Sequence, residues 1–264
     1  GPPAGRSDVR IEIRQPTSST DSLKLLATGR ADLAVLDIHD LGLARERGED
    51  LVGVGALVDR QLAAVIAGPS VHRPRDLEGK RVGVTGLPSD DAVLRAIVER
   101  DGGRFDRVKR VTIGFTAVPS LVAKKVAAVT AFWNVEGVAL RKRGVRTNEF
   151  RLDARGSRYP ELVFATTRAK LRARRDDLRH ALDAIDNGRS VVLSEPGRAI
   201  AAIARAGETE PGLVRAEFTA IRPAFLTGVR LPEHALRNWA AFDVRYGILK
   251  RRPDLKRAFD PLVQ

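Results

Sequence analysis

The chain has 264 residues, of which 43% are hydrophobic and 30% charged. That balance fits one large globular domain or two modest ones and excludes a disordered or collagen-like protein. No cysteine is present, which excludes disulfides, thiolate nucleophiles, iron–sulfur clusters and cysteine zinc sites. The 46 basic residues outnumber the 33 acidic ones, giving a net charge of +13. The basic residues sit beside acidic neighbours near expected helix ends and aromatics are only 5%, so solvated helix faces explain the charge and no nucleic-acid partner is expected. No apolar run reaches 18 residues, so no transmembrane helix is expected. Methionine is absent and the chain opens with Gly1-Pro2-Pro3, which reads as a processed or incomplete chain without signal or anchor.

In chain order, residues 9–14 alternate like a strand, and Ser18, Ser19, Thr20 and Asp21 offer N-cap chemistry for a helix that Gly29 ends. Residues 33–36 read as a buried strand, His39-Asp40 open a helix closed at Gly48, and 51–58 and 62–67 read as buried strands. After Gly68-Pro69 a second unit begins. Strands are expected at 81–84, 108–115 and 128–132, with helices from the loop 86–91 to about 100, over 119–125, and from Asn134 to Gly144. This alternation predicts a mostly parallel sheet. A strand at 162–166 then leads into helices at 176–193, 197–206 and 232–250. Residues 26–35 and 121–130 echo one another as helix end, tight turn and buried strand, which predicts two similar lobes with the site between them.

Ligands of open α/β sheets bind at strand carboxyl ends, beside helix N-termini, and that rule selects the loops 17–21, 86–91 and 132–136. Ser18, Ser19, Thr20, Ser89 and Asp90 are candidates by position, with ordinary N-capping as the alternative. The third loop places Trp133 at a strand end, followed by Asn134 and by Glu136 on the first helical turn. A flat indole and a nearby carboxylate suit a planar nitrogen heterocycle; the competing reading is a packed Trp133 and a capping Glu136. His39 between Asp37 and Asp40 invites a catalytic or metal role. The four histidines show no ligand spacing, however, so a capping or core histidine is the competing reading and no metal site is expected.

The segments Ser18-Ser19-Thr20-Asp21-Ser22-Leu23, Gly29-Arg30-Ala31-Asp32, Leu36-Asp37-Ile38-His39-Asp40-Leu41, Asp76-Leu77-Glu78-Gly79-Lys80-Arg81-Val82-Gly83-Val84, Gly86-Leu87-Pro88-Ser89-Asp90-Asp91 and Ala131-Phe132-Trp133-Asn134-Val135-Glu136-Gly137 resemble the thiamine-pyrimidine-biosynthesis-like substrate-binding proteins of ABC importers. The resemblance implies an α/β, two-lobed type II periplasmic-binding-protein fold. Lobe one would be residues 1–67 and 160–264 and lobe two 68–159, and the family's first strand and helix would be missing from this chain. It further implies an extracytoplasmic carrier of a thiamine-precursor pyrimidine or riboflavin-like ligand, partnered by an ABC permease and needing no cofactor, with Trp133 and Glu136 as ligand contacts. Membrane association would come through the permease or a lipid anchor outside this chain. Two alternatives share the fold. One is a thiamine-pyrimidine synthase-like enzyme, which the absence of cysteine and of a lysine between Asp32 and His39 opposes; the other is a ligand-sensing regulatory domain, which would need a helix-turn-helix before Arg14.

Overall fold

The computed structural model describes residues 10–16, 19–153, 158–226 and 228–262, with Ser19 and Thr20 described through the backbone alone. The order is α1 (Ser19–Ala27), β1 (Ala34–Asp37), α2 (Ile38–Glu46), β2 (Leu51–Ala56), β3 (Ala63–Ala67), β4 (Arg81–Val84), α3 (Pro88–Arg100), β5 (Lys109–Thr112), α4 (Ala117–Val122), β6 (Ala128–Phe132), α5 (Glu136–Lys142), β7 (Asn148–Arg151) and β8 (Leu162–Thr167). The helices α6 (Arg168–Ala173), α7 (Arg175–Ser194), α8 (Pro196–Ala206), α9 (Pro211–Ile221), α10 (Glu233–Arg245) and α11 (Leu255–Ala258) follow. Among the described residues no helix is long and apolar enough to cross a membrane.

The strands form two sheets, β1-β8-β2 and β5-β4-β6-β3-β7. This is the two-lobed α/β arrangement, but the expectation of mostly parallel sheets is corrected. Among the described residues only the β4–β5 and β4–β6 ladders are parallel, and the other four are antiparallel. The reason is connectivity: β3 and β8 reach their sheets through inter-sheet connections rather than helical crossovers, and so run against their neighbours. The expected boundary after residue 67 also moves. β3 hydrogen-bonds to β6 and β7, so residues 63–67 belong to the second sheet and the inter-sheet connections are 57–62 and 152–161. Of the strand expected at 9–14, residues 10–14 are exposed and unpaired, and Val9 lies outside the described residues.

The core follows the apolar runs. Every residue of β2 and β3 is buried, as expected of strands covered on both faces. Helix α2 lies on β1 and β2 and presses Gly42 against Trp239 of α10, where a side-chain Cβ would stand 2.7 Å from the indole. In the second sheet α3 buries Ala92, Val93, Ala96 and Ile97, the spacing of one helical face. Helix α9 packs against α5, so the C-terminal helices reach the second sheet as well as the first.

Candidate functional site

The parallel strands β5, β4 and β6 end side by side, and three loops leave their carboxyl ends. Each loop presents an exposed apolar side chain: Leu87 (38% exposed), Phe115 (79%) and Val135 (39%). Leu87 is the N-cap of α3 and gives that 13-residue helix no side-chain cap. Asp90, in the first turn, turns back to accept from the Thr85 amide at 2.8 Å and from the Thr85 hydroxyl. It therefore shapes the loop rather than capping the helix, while Ser89 lies half-buried on the same turn. Gly86 holds φ at +102°, a conformation that favours glycine.

The loop after β6 places the sequence-predicted residues together. The β3–β6 register sets Ala63 opposite Phe132, which brings Gln61 and Leu62 beside Trp133. The Trp133 amide donates to Leu62 O and its indole N–H donates to Gln61 O, both at 3.1 Å. The ring is 3% exposed, with the Arg151 guanidinium 4.1 Å from its centroid. Trp133 is thus packed into the wall. Glu136 accepts from the Phe132 amide at 2.9 Å, closing the turn that carries it. Asn134 is 8% exposed and its Oδ1 has no hydrogen-bond partner among the described residues, which is uncommon for a buried amide. Glu217 of α9, which sequence reasoning missed, adds a further carboxyl to this end. Burial and the charge of Glu136 push Glu217 up from its ordinary value.

Asp37 and His39 lie in a separate cluster, in which His39 and Glu161 are buried and Asp37 is half-buried. The β1–β8 register pairs Asp37 with Leu162, so Glu161 falls beside the start of α2 and its carbonyl accepts from the Ile38 amide. Asp37 is the N-cap of α2, accepting from the His39 amide at 2.8 Å. His39 is fully buried, with Nδ1 2.6 Å from Asp243 of α10 and Nε2 3.3 Å from the Tyr159 hydroxyl. Glu161 accepts from the Leu62 amide at 3.0 Å. Burial would pull the imidazole down, but the carboxylates of Asp243 and Asp37 hold it up at about 10. Burial pushes both Asp37 and Glu161 up, against the pull of His39. Tyr159 also bonds the side chain of Gln61, so this cluster and the Trp133 loop share the connection 57–62. Ser18 and the side chains of Ser19 and Thr20 lie outside the described residues.

A curated relative named formylaminopyrimidine-binding protein, from Halalkalibacterium halodurans, is 31% identical over 163 residues, covering 60% of this chain and 49% of the relative. A putative thiamine biosynthesis protein from Haemophilus influenzae is 30% identical over 134 residues, covering 50% and 43% respectively. The chain thus spans about half the length of the curated relatives it matches. Among solved structures, the alkanesulfonate-binding protein SsuA from Xanthomonas axonopodis pv. citri, bound to MOPS, superposes with a TM-score of 0.76 at 15% identity over 92% of this chain and 85% of that one. The Escherichia coli periplasmic aliphatic sulphonate binding protein SsuA gives the same score over 91% and 84%. These likenesses fix the periplasmic-binding-protein fold. Residues 6–199 match the family described as NMT1/THI5 like, and the chain belongs to that family.

Proposed function

We propose that this chain is an extracytoplasmic solute-binding protein. It captures a small aromatic nitrogen heterocycle of the thiamine-precursor pyrimidine class and delivers it to an ABC permease, without catalysing a reaction. The observation that carries this reading is the buried Oδ1 of Asn134, without a partner among the described residues, at the carboxyl end of the second sheet. Glu136, two residues on, and Glu217 beside it add carboxyl groups to this end, and together these acceptor oxygens suit a ligand with N–H donors. Leu87, Phe115 and Val135 supply apolar surface for the ring, and Trp133 backs the loop from inside. Family membership and the name of the Halalkalibacterium relative support the ligand class.

Calorimetry with a formylated aminopyrimidine tests the reading, using Asn134→Leu beside the parent chain. Binding is expected at micromolar affinity or tighter. Removing the orphan acceptor should cost about 1 to 3 kcal/mol of binding, because ligand donors are left unmet in a dry site. The ligand-free variant should also melt no lower than the parent, since an unsatisfied buried oxygen has been replaced by carbon. Undiminished affinity in a folded Asn134→Leu variant would overturn the assignment.

A further inference from the structure

We propose that Asp37, His39 and Glu161 form a binding site for one divalent transition-metal ion, with Zn²⁺ best suited to the donor set. This stands apart from the heterocycle reading. A histidine nitrogen and one carboxylate oxygen from each acid lie within 4.8 Å of one another, on residues carried by β1, α2 and the segment before β8, with His39 and Glu161 buried and Asp37 half-buried. Zinc bonds of about 2.0 to 2.2 Å place tetrahedral donors roughly 3.4 Å apart, so donors within 4.8 Å of one another close on an ion through movements on the order of 1 Å.

The surroundings of His39 have the form that metal-bound histidines adopt. A carboxylate on one ring nitrogen fixes the ring and leaves the other nitrogen to ligate. Asp243 does this through Oδ1 at 2.6 Å from Nδ1. Nε2 then faces the Tyr159 hydroxyl at 3.3 Å, the spacing of neighbouring ligands around one ion, which makes that oxygen the fourth donor. Asp243 is itself fully buried, and its Oδ2 has no hydrogen-bond partner among the described residues. Three carboxyl groups therefore lie around one imidazole, a donor set that a divalent ion can join once the imidazole has given up its proton. Glu161 also accepts from Leu62, so an ion here would tie the connection between the sheets to the start of α2.

Chelator-treated protein is titrated with Co²⁺, followed by visible absorption, and with Zn²⁺, followed by calorimetry and thermal melting. One ion per chain is expected, with ligand-field bands for Co²⁺ that Zn²⁺ displaces and a higher melting temperature. Asp37→Asn and Glu161→Gln, which keep side-chain shape, should each weaken uptake at least tenfold. Asp243→Asn, acting through the orientation of His39, should weaken it about ten- to a hundredfold. A triple variant of the remaining histidines, His72→Ala, His180→Ala and His234→Ala, should bind as the parent does. A cooperative melt qualifies each variant; if Glu161→Gln does not fold, Asp37→Asn carries the test. No Co²⁺ bands, or uptake undiminished in a folded Asp37→Asn variant, would overturn the site.

Discussion

Lys124 occupies the same left-handed turn as Gly29. Their φ angles are 54° and 73°, and each amide donates at 3.0 Å to the carbonyl three residues back, Leu121 in one case and Leu26 in the other. Each turn ends a helix, α4 or α1, and precedes a strand; β6 is mostly buried as expected, whereas β1, expected to be buried, is a sheet-edge strand with Val35 exposed and only Leu36 fully buried. Glycine adopts this backbone freely, whereas a residue with a Cβ is strained there by about 1 kcal/mol. Lys124→Gly is therefore expected to raise stability by roughly 0.5 to 1 kcal/mol, read from denaturant unfolding at unchanged m-value. A loss of stability would show that the lysine side chain contributes more than its backbone costs.

Gly42 poses the opposite problem. It lies inside α2, where alanine is intrinsically better by about 0.8 to 1 kcal/mol. Its Cβ position, however, is 2.7 Å from Trp239 and 3.3 Å from Leu249, both almost fully buried. Overpacking a core contact of this kind costs about 1 to 3 kcal/mol. The packing cost wins, and Gly42→Ala should destabilise the protein by up to about 2 kcal/mol, with a lower thermal midpoint. A stabilised variant would mean that α2 and α10 separate easily.

The carrier reading separates from the enzyme reading by spectroscopy. The resemblance to the synthase-like enzymes of this fold implies a cysteine-rich iron motif and a lysine for pyridoxal phosphate, and this chain has no cysteine and no lysine between Asp32 and His39. Pyridoxal phosphate at stoichiometric concentration should produce no new visible band and no change in melting temperature. A saturable one-to-one band would move the assignment to an enzyme.

Strongly patterned segments were legible from sequence. Helices expected at 176–193 and 197–206 occur as Arg175–Ser194 and Pro196–Ala206, and the loop at 132–136 does end β6 and start α5. What was hidden depended on partners distant in the chain. Residues 10–14 have a strand's alternation but no neighbouring strand among the described residues, and alternation without a sheet does not hold a strand. β7, with sequence NEFR, is a half-buried edge strand whose charged residues mask the pattern. Histidine spacing along the chain says nothing about His39, because Glu161 and Asp243 reach it only through the β1–β8 register and the packing of α10. Glu217 is likewise brought to Glu136 by helix packing that no local motif announces.

Phe115 gives the sharpest test of where the ligand ring lies. At 79% exposure it contributes little to the core, and it sits in the short turn between β5 and α4, at the same end of the sheet as Asn134 and Leu87. An exposed phenylalanine at the same end of the sheet as two other exposed apolar side chains leaves apolar surface in water, which favours covering it with a ligand. Phe115→Ala should therefore leave the melting temperature of the ligand-free protein nearly unchanged. In calorimetry it should weaken heterocycle binding by about 0.5 to 1.5 kcal/mol, the range for one aromatic pair beyond its buried area. Phe115→Tyr, which keeps the ring, should restore most of the affinity. Equal affinity in the alanine variant would place the ring elsewhere, leaving Trp133 as the aromatic surface to test next and requiring Arg151 to move away from its face.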